Sequence, residues 1–242
     1  MNRREMLAGI GSVGAGLILS GCYNANRSHA AESLSAQDEE TKGVEVNAVE
    51  DLMREHGVLR RALFVYSEAA AKLRSEPSVV VPGAIYKTAK LFRAFGEEYH
   101  EKKLEEAYIF PAVKKTGGEA ASYPDILIAQ HNRGRQITDY ILAITGKEKF
   151  GIGDDERLAI AMESLVRMYR PHAAREDTVV FPAWKQTLTA KQLDEMNDKF
   201  EGIEHQQFGE DGFENAVRQI ADIESELGLA GLLQFTAPPI AI

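Results

Sequence analysis

His172 and Glu176 stand four residues apart in MYRPHAAREDTVVFPAWKQT, residues 168–187. On a helix they share one stripe with Leu158, Met162, Leu165, Tyr169, Val179, Val180 and Ala183. Burying an imidazole and a carboxylate in an apolar face is costly unless each finds a partner. One such pair alone reads as a hydrogen-bonded core histidine. The stretch EEYHEKKLEEAYIFPAVKKT, residues 97–116, repeats the pattern. Glu105 matches Glu176, Glu106 matches Asp177, Phe110-Pro111-Ala112 matches Phe181-Pro182-Ala183, and Lys114 and Thr116 match Lys185 and Thr187. His100 precedes the first acidic pair as His172 precedes the second, and each copy follows another helical histidine, His56 or His131. Two helix pairs, each giving two histidines and a carboxylate, point to a pair of metal ions inside a four-helix bundle. Imidazole and carboxylate donors without thiolate suit iron, manganese or zinc.

The spacings differ between the copies. Glu105 is five residues after His100, whereas Glu176 is four after His172. On a regular α-helix five residues are about 140° apart and four only about 40°. Either a π-bulge near Lys102-Lys103 absorbs a residue, or Glu101, one turn from Glu105, takes part, and both reach inward if the helix rotates. Asp177 lies off the apolar stripe and is the weaker rival to Glu176. A ferritin-like site would need two Glu-x-x-His motifs on separate helices; only Glu97-x-x-His100 has that spacing.

The elements that position these residues read as helices, and the class is all-α. The first spans about residues 44–75, with Val49, Leu52, Met53, Leu59, Leu63, Tyr66, Ala70 and Leu73 in helical register with His56. A second begins at Pro82 and closes at Gly117-Gly118, a third begins near Tyr123-Pro124-Asp125 with His131 inward, and the fourth contains Pro171. Tyr66, Tyr99, Tyr169, Phe110, Phe181 and Trp184 are most simply core. Residues 189–228 form a helical extension interrupted by Gly202, Gly209 and Gly212, and residues 229–242 a tail. A chain of 242 residues, 44% hydrophobic and 27% charged, is long enough for one sizeable core. Its net charge of -9 argues against a nucleic-acid partner, which needs a basic face.

Residues 1–22 read as an export signal. Arg3-Arg4 with Leu7 looks like a twin-arginine signal, and the apolar run from Met6 to Leu19 is too short for an ordinary membrane span. Leu19-Ser20-Gly21-Cys22 resembles a lipobox, which makes Cys22, the only cysteine, the lipidated residue. Residues 23–43 read as a flexible tether, with His29 solvated. The expected location is the periplasmic side of the cell envelope, anchored by lipid to a membrane.

The ordered set His56 in REHGVLRR, His100 and Glu105 in HEKKLEEAYIFP, His131 in AQHNRGR, and His172 and Glu176 in PHAAREDTVVFP resembles the hemerythrin (HHE cation-binding) family over residues 44–188. The resemblance implies an up-down four-helix bundle holding a non-haem diiron centre, two iron ions with an oxo or hydroxo bridge. Bridging Glu105 and Glu176 would hold the irons together. Oxygen-carrying members have two histidines one turn apart on the third helix, where this chain has His131 followed by Arg135. His205 is a candidate for the missing ligand or for a supporting position, and Arg135 for an ion pair with a ligating carboxylate. The expected function is binding of dioxygen or a related small oxidant for delivery, scavenging or redox sensing, with sensing dependent on a separate partner. The competing readings are a diiron enzyme reducing peroxide or nitric oxide or oxidising ferrous iron, and a metal-free helical interaction module.

Overall fold

The computed structural model describes residues 46–77, 80, 82–147, 150, 151, 153–210 and 212–240. The readings on Arg3, Arg4, Cys22 and His29 lie outside the described residues. Among those described, every regular element is helical, and no helix is long and apolar enough to cross a membrane. Helix α1 spans Ala48–Ser75. It begins later than the periodicity suggests because Asn47 caps it: its side chain accepts from the Val49 and Glu50 amides, and Glu50 accepts from the Asn47 amide in return.

Helix α2 is continuous but changes pitch. It is α-helical over Pro82–Leu91, π-helical over Phe92–Ile109 and α-helical again over Phe110–Lys114. Helix α3 spans Pro124–Thr145. Helix α4 runs as α-helix over Asp154–Arg175, as a π segment over Glu176–Val180 and as α-helix over Phe181–Gln186. Pro171 sits exposed inside α4 without ending it. These four helices pack as a bundle, α1 against α4 and α3 against both α2 and α4. Short connections between successive helices suit antiparallel neighbours.

Two further helices, α5 (Ala190–Phe208) and α6 (Gly212–Glu226), cover one side of α1 and α2. Gly202 lies within α5 rather than breaking it; the helix ends at Gly209, whose φ of 76° only glycine adopts at low cost. Phe200 stacks on buried Trp184, Phe208 and Phe213 pack on Phe95, and Arg61 grips Glu224 with two hydrogen bonds. Tyr66, Tyr99, Tyr169, Phe110, Phe181 and Trp184 are all buried in the core, as their spacing suggested.

Candidate metal centre

Each bundle helix delivers one histidine to the interior: His56 from α1, His100 from α2, His131 from α3 and His172 from α4. Helices α2 and α4 add Glu105 and Glu176, and all six residues are buried. Glu105 aims Oε1 at His100 Nε2 (3.2 Å) and His56 Nε2 (3.9 Å), and Oε2 at His131 Nε2 (3.4 Å). Glu176 completes the arrangement, with Oε1 toward His172 Nε2 (3.0 Å) and His131 Nε2 (3.9 Å) and Oε2 toward His56 Nε2 (3.5 Å). Each carboxylate therefore offers one oxygen to the His56–His100 pair and the other to the His131–His172 pair. Ligand atoms of Glu105, His131, His172 and Glu176 all lie within 4.8 Å of one another, as do those of His56, His100 and Glu105.

The pitch change in α2 explains the five-residue spacing. In a π-helix the hydrogen bond runs from residue i+5 to i, so His100 and Glu105 stand one above the other. The departure from α geometry is longer than one bulge at Lys102-Lys103, since it covers 18 residues. Both π segments end just before a Phe-Pro pair, and there the Phe110 amide donates to the Glu105 carbonyl and the Phe181 amide to the Glu176 carbonyl. A proline ring in a helix clashes with the carbonyl four residues earlier. Widening the preceding turn makes room for Pro111 and Pro182. The same two phenylalanines stack on histidines of neighbouring helices, Phe110 on His131 and Phe181 on His56.

A second ring of side chains holds the histidines, and it repeats between the two halves. Nδ1 of His56 donates to Asp177 (2.7 Å), which Arg60 also grips. Nδ1 of His131 donates to Glu106 (2.9 Å), which Arg135 grips at 2.8 Å. Arg60 and Arg135 each follow their histidine by four residues. Nδ1 of His100 donates to Glu55 (2.6 Å) and Nδ1 of His172 to Gln130 Oε1 (2.8 Å); each acceptor immediately precedes the histidine of the partner helix. Proton-accepting partners at Nδ1 leave the Nε2 lone pairs facing inward. Glu55, Arg60 and Gln130 escaped the sequence reading, although the repeated His-x-x-x-Arg spacing is visible there. Asp177 and Glu106, matched to each other in the repeat, prove to play the same supporting part.

Glu101 forms a third cluster with Glu106 and His131, at the edge of the central one, whereas His205 stands elsewhere. Glu101 is buried, but it accepts from Tyr169 Oη (2.6 Å) and Arg135 (3.1 Å), and neither of its oxygens bridges the two histidine pairs. Arg135 thus pairs with Glu101 and Glu106 rather than with Glu105 or Glu176. His205 is a correction: it is exposed on α5, is not among that helix's buried residues Asn197, Phe200 and Glu204, and belongs to no cluster of metal-ligating groups among the described residues. Helix α5 continues through Gly202, so nothing turns His205 inward.

The electrostatics of the interior suit a cation. Burial pushes the Glu176 carboxyl up to about 8 and the His131 and His172 imidazoles down to about 4. Burial also lowers His56. It would lower His100 too, but the Glu105 and Glu55 carboxylates overcome it and hold that imidazole well above its usual range. Both oxygens of Glu105, both of Glu176 and Nε2 of His100 are buried without a hydrogen bond. Buried carboxylate oxygens left unpaired are costly. Two cations, one at each histidine pair, would satisfy all five atoms, so the residues fit such ions. Beside them lies a cavity of about 10 Å³, lined by Leu59, Leu63, His100, Glu101, Tyr169, His172 and Glu176 among others.

The description of the hemerythrin HHE cation binding domain matches residues 47–184, a span that contains all six clustered residues. An uncharacterized protein of Mycobacterium bovis is 43% identical over 194 residues, which cover 80% of this chain and 75% of the relative. Uncharacterized proteins of two Mycobacterium tuberculosis strains match to the same extent. No solved structure matches the chain.

Proposed function

This chain belongs to the hemerythrin HHE cation-binding family, and on that premise we propose that it is a non-haem diiron protein that binds dioxygen or a related small oxidant. The observation that carries the reading is the way Glu105 and Glu176 each split their two oxygens between the two histidine pairs. His56 and His100 would hold one ion, His131 and His172 the other, with both carboxylates shared. Bound iron would supply electron transfer and an exchangeable position for the small ligand. Asp177, Glu55, Glu106 and Gln130 fix the rings so that Nε2 faces the ions, and Phe110 and Phe181 pack against two of the rings.

The cavity limits what enters. A space of about 10 Å³ leaves no room for a bulky organic substrate, which supports a small ligand. The Tyr169 hydroxyl that donates to Glu101 at its wall also supports the second reading, a diiron enzyme reducing peroxide or nitric oxide or oxidising ferrous iron, because it places an exchangeable proton there. Catalytic turnover with an electron donor, against a stable ligand-bound spectrum, separates the two. The metal-free helical module is disfavoured by the four carboxylate oxygens that lack hydrogen bonds. From Arg3-Arg4 and the Leu19–Cys22 stretch we also propose export and lipid anchoring at Cys22, so that Cys22→Ser releases the protein from membranes.

Iron analysis after anaerobic reconstitution tests the central claim. Two irons per chain are expected, falling to one or none in His172→Ala and Glu176→Ala, with loss of visible absorption. Unchanged iron content and spectrum in both variants would refute the assignment.

A further inference from the structure

At Nδ1 the two histidine pairs are held alike except at one acceptor. On the His56–His100 side both Nδ1 groups donate to carboxylates, Asp177 and Glu55. Glu55 is buried and accepts from His100 Nδ1 at 2.6 Å and from Tyr99 Oη at 3.0 Å. On the His131–His172 side His131 donates to the Glu106 carboxylate, whereas His172 donates to the neutral amide of half-buried Gln130. Glu101 does not make up the difference. It lies 3.8 Å from His131 Nδ1, beyond hydrogen-bonding distance, and is held by Arg135 and Tyr169.

A carboxylate at Nδ1 makes the imidazole a stronger donor and adds negative charge near the ion; an amide orients the ring but adds no charge. We propose that the two cation positions are unequal and fill in order, His56–His100 first and His131–His172 second, because Gln130 stands where the other half has Glu55. The inference rests on the dinuclear reading above and adds a sequence of loading to it. A one-ion state follows, with the ion on the α1–α2 side and the second position exchangeable. Gln130 is a positioning residue: it touches His172, not the ion.

Changes at such outer partners shift metal affinity about 10- to 100-fold, which sets the expected gap between the two positions. The test titrates the metal-free full chain with Co(II), a spectroscopically visible divalent ion, and follows its absorption and the free ion. Wild-type protein is expected to bind two ions in separate phases. His172→Ala should keep the tight phase and His100→Ala should lose it. Gln130→Glu should tighten the weak phase about 10- to 100-fold, and Glu55→Gln should weaken the tight one by a similar factor, with helicity by circular dichroism as the control for folding. Should either variant fail to fold, the other decides. Two equal phases in the wild type, joint uptake of both ions, or a folded Gln130→Glu with an unchanged isotherm would each overturn the proposed order while leaving the dinuclear centre standing. Absence of any bound ion would overturn both.

Discussion

Helices α1 and α3 each place one histidine in the centre, with a hydrogen-bond acceptor one residue before it and an arginine four residues after it. Beyond that they diverge. Three and seven residues past His56, α1 presents Leu59 and Leu63, both lining the cavity. At the same offsets past His131, α3 presents Gly134 and Thr138. Large and small residues are exchanged between the halves. Leu59 leans over Gly96 of α2, whereas Gly134 makes room for Tyr169 of α4. The missing side chain on α3 admits polar groups: Tyr169 reaches Glu101, and Thr138 donates to buried Glu97 at 2.6 Å. One scaffold for the histidines thus carries an apolar wall on one side and a polar wall on the other. Residues outside the six at the centre thus make its two halves unlike.

Filling Gly134 should break this comparison most severely. A Cβ there would meet Tyr169 Oη at 2.2 Å and two ring carbons at 2.8 and 2.9 Å, with no flexible end to move aside. At Gly96 the corresponding contact is the tip of Leu59 at 2.9 Å, which can rotate. Overpacking of this kind costs about 1–3 kcal/mol, and Gly134→Ala belongs near the upper end. Thermal unfolding of the metal-free protein should show a clearly larger loss for Gly134→Ala than for Gly96→Ala. Equal losses would mean that α3 and α2 tolerate added bulk alike.

Much of this was open to reading from the chain alone, and the reasons for the failures are specific. The six central residues were visible because the same pattern occurs twice, and because polar residues on an apolar stripe stand out. The 18-residue π segment was foreseen only as a local bulge. Its extent follows from which carbonyl each amide reaches, which side-chain periodicity does not report, although Pro111 and Pro182 mark where both π segments stop. The outer acceptors were missed because Glu55 and Gln130 are ordinary helix residues until a histidine from another helix arrives. His205 was overvalued because the third helix lacks a second histidine, and Gly202 was expected to break a helix that it does not break.

The polar wall should also reveal itself through pH. Burial pushes Glu97 up to about 7, while Thr138, Arg93 and Arg135 pull it down. Arg93 Nε sits 2.8 Å from Glu97, Asp139 shares that arginine, and Tyr66 and Tyr169 also lie within its field. An acid with a raised folded pKa keeps its proton in the folded state after the unfolded chain has released it. Its contribution is therefore fully present below about 4.5 and is lost as pH rises toward 7. His131 and His172, lowered to about 4, act oppositely and add stability up to the ordinary histidine value of 6.5. Glu97→Gln removes only the first slope. Relative to wild type, the metal-free variant should gain about 2 kcal/mol between pH 5.5 and 7, at about 1.4 kcal/mol per unit. A difference that does not change with pH would show that Glu97 is already ionised in the fold.

Tyr169→Phe carries the smallest expected effect and gives the finest view of the polar wall. The hydroxyl donates to Glu101 at 2.6 Å, and Glu101 keeps Arg135 at 3.1 Å, so its loss leaves one buried oxygen unpaired rather than an isolated charge. That places the cost at about 1 kcal/mol, toward the low end for an orphaned buried acceptor. Metal content should stay at the wild-type value, since Tyr169 is not among the clustered metal-ligating groups. Joined to Gly134→Ala, the same change should be worth less than alone, because the atom in the worst clash is the one removed; ring carbons at 2.8 and 2.9 Å keep the rescue partial. Thermal melts of the two single variants and the double variant measure that coupling. Strict additivity would mean that Gly134 and Tyr169 do not act as one unit, and the contrast between α1 and α3 would then rest on Thr138 and Glu97 alone.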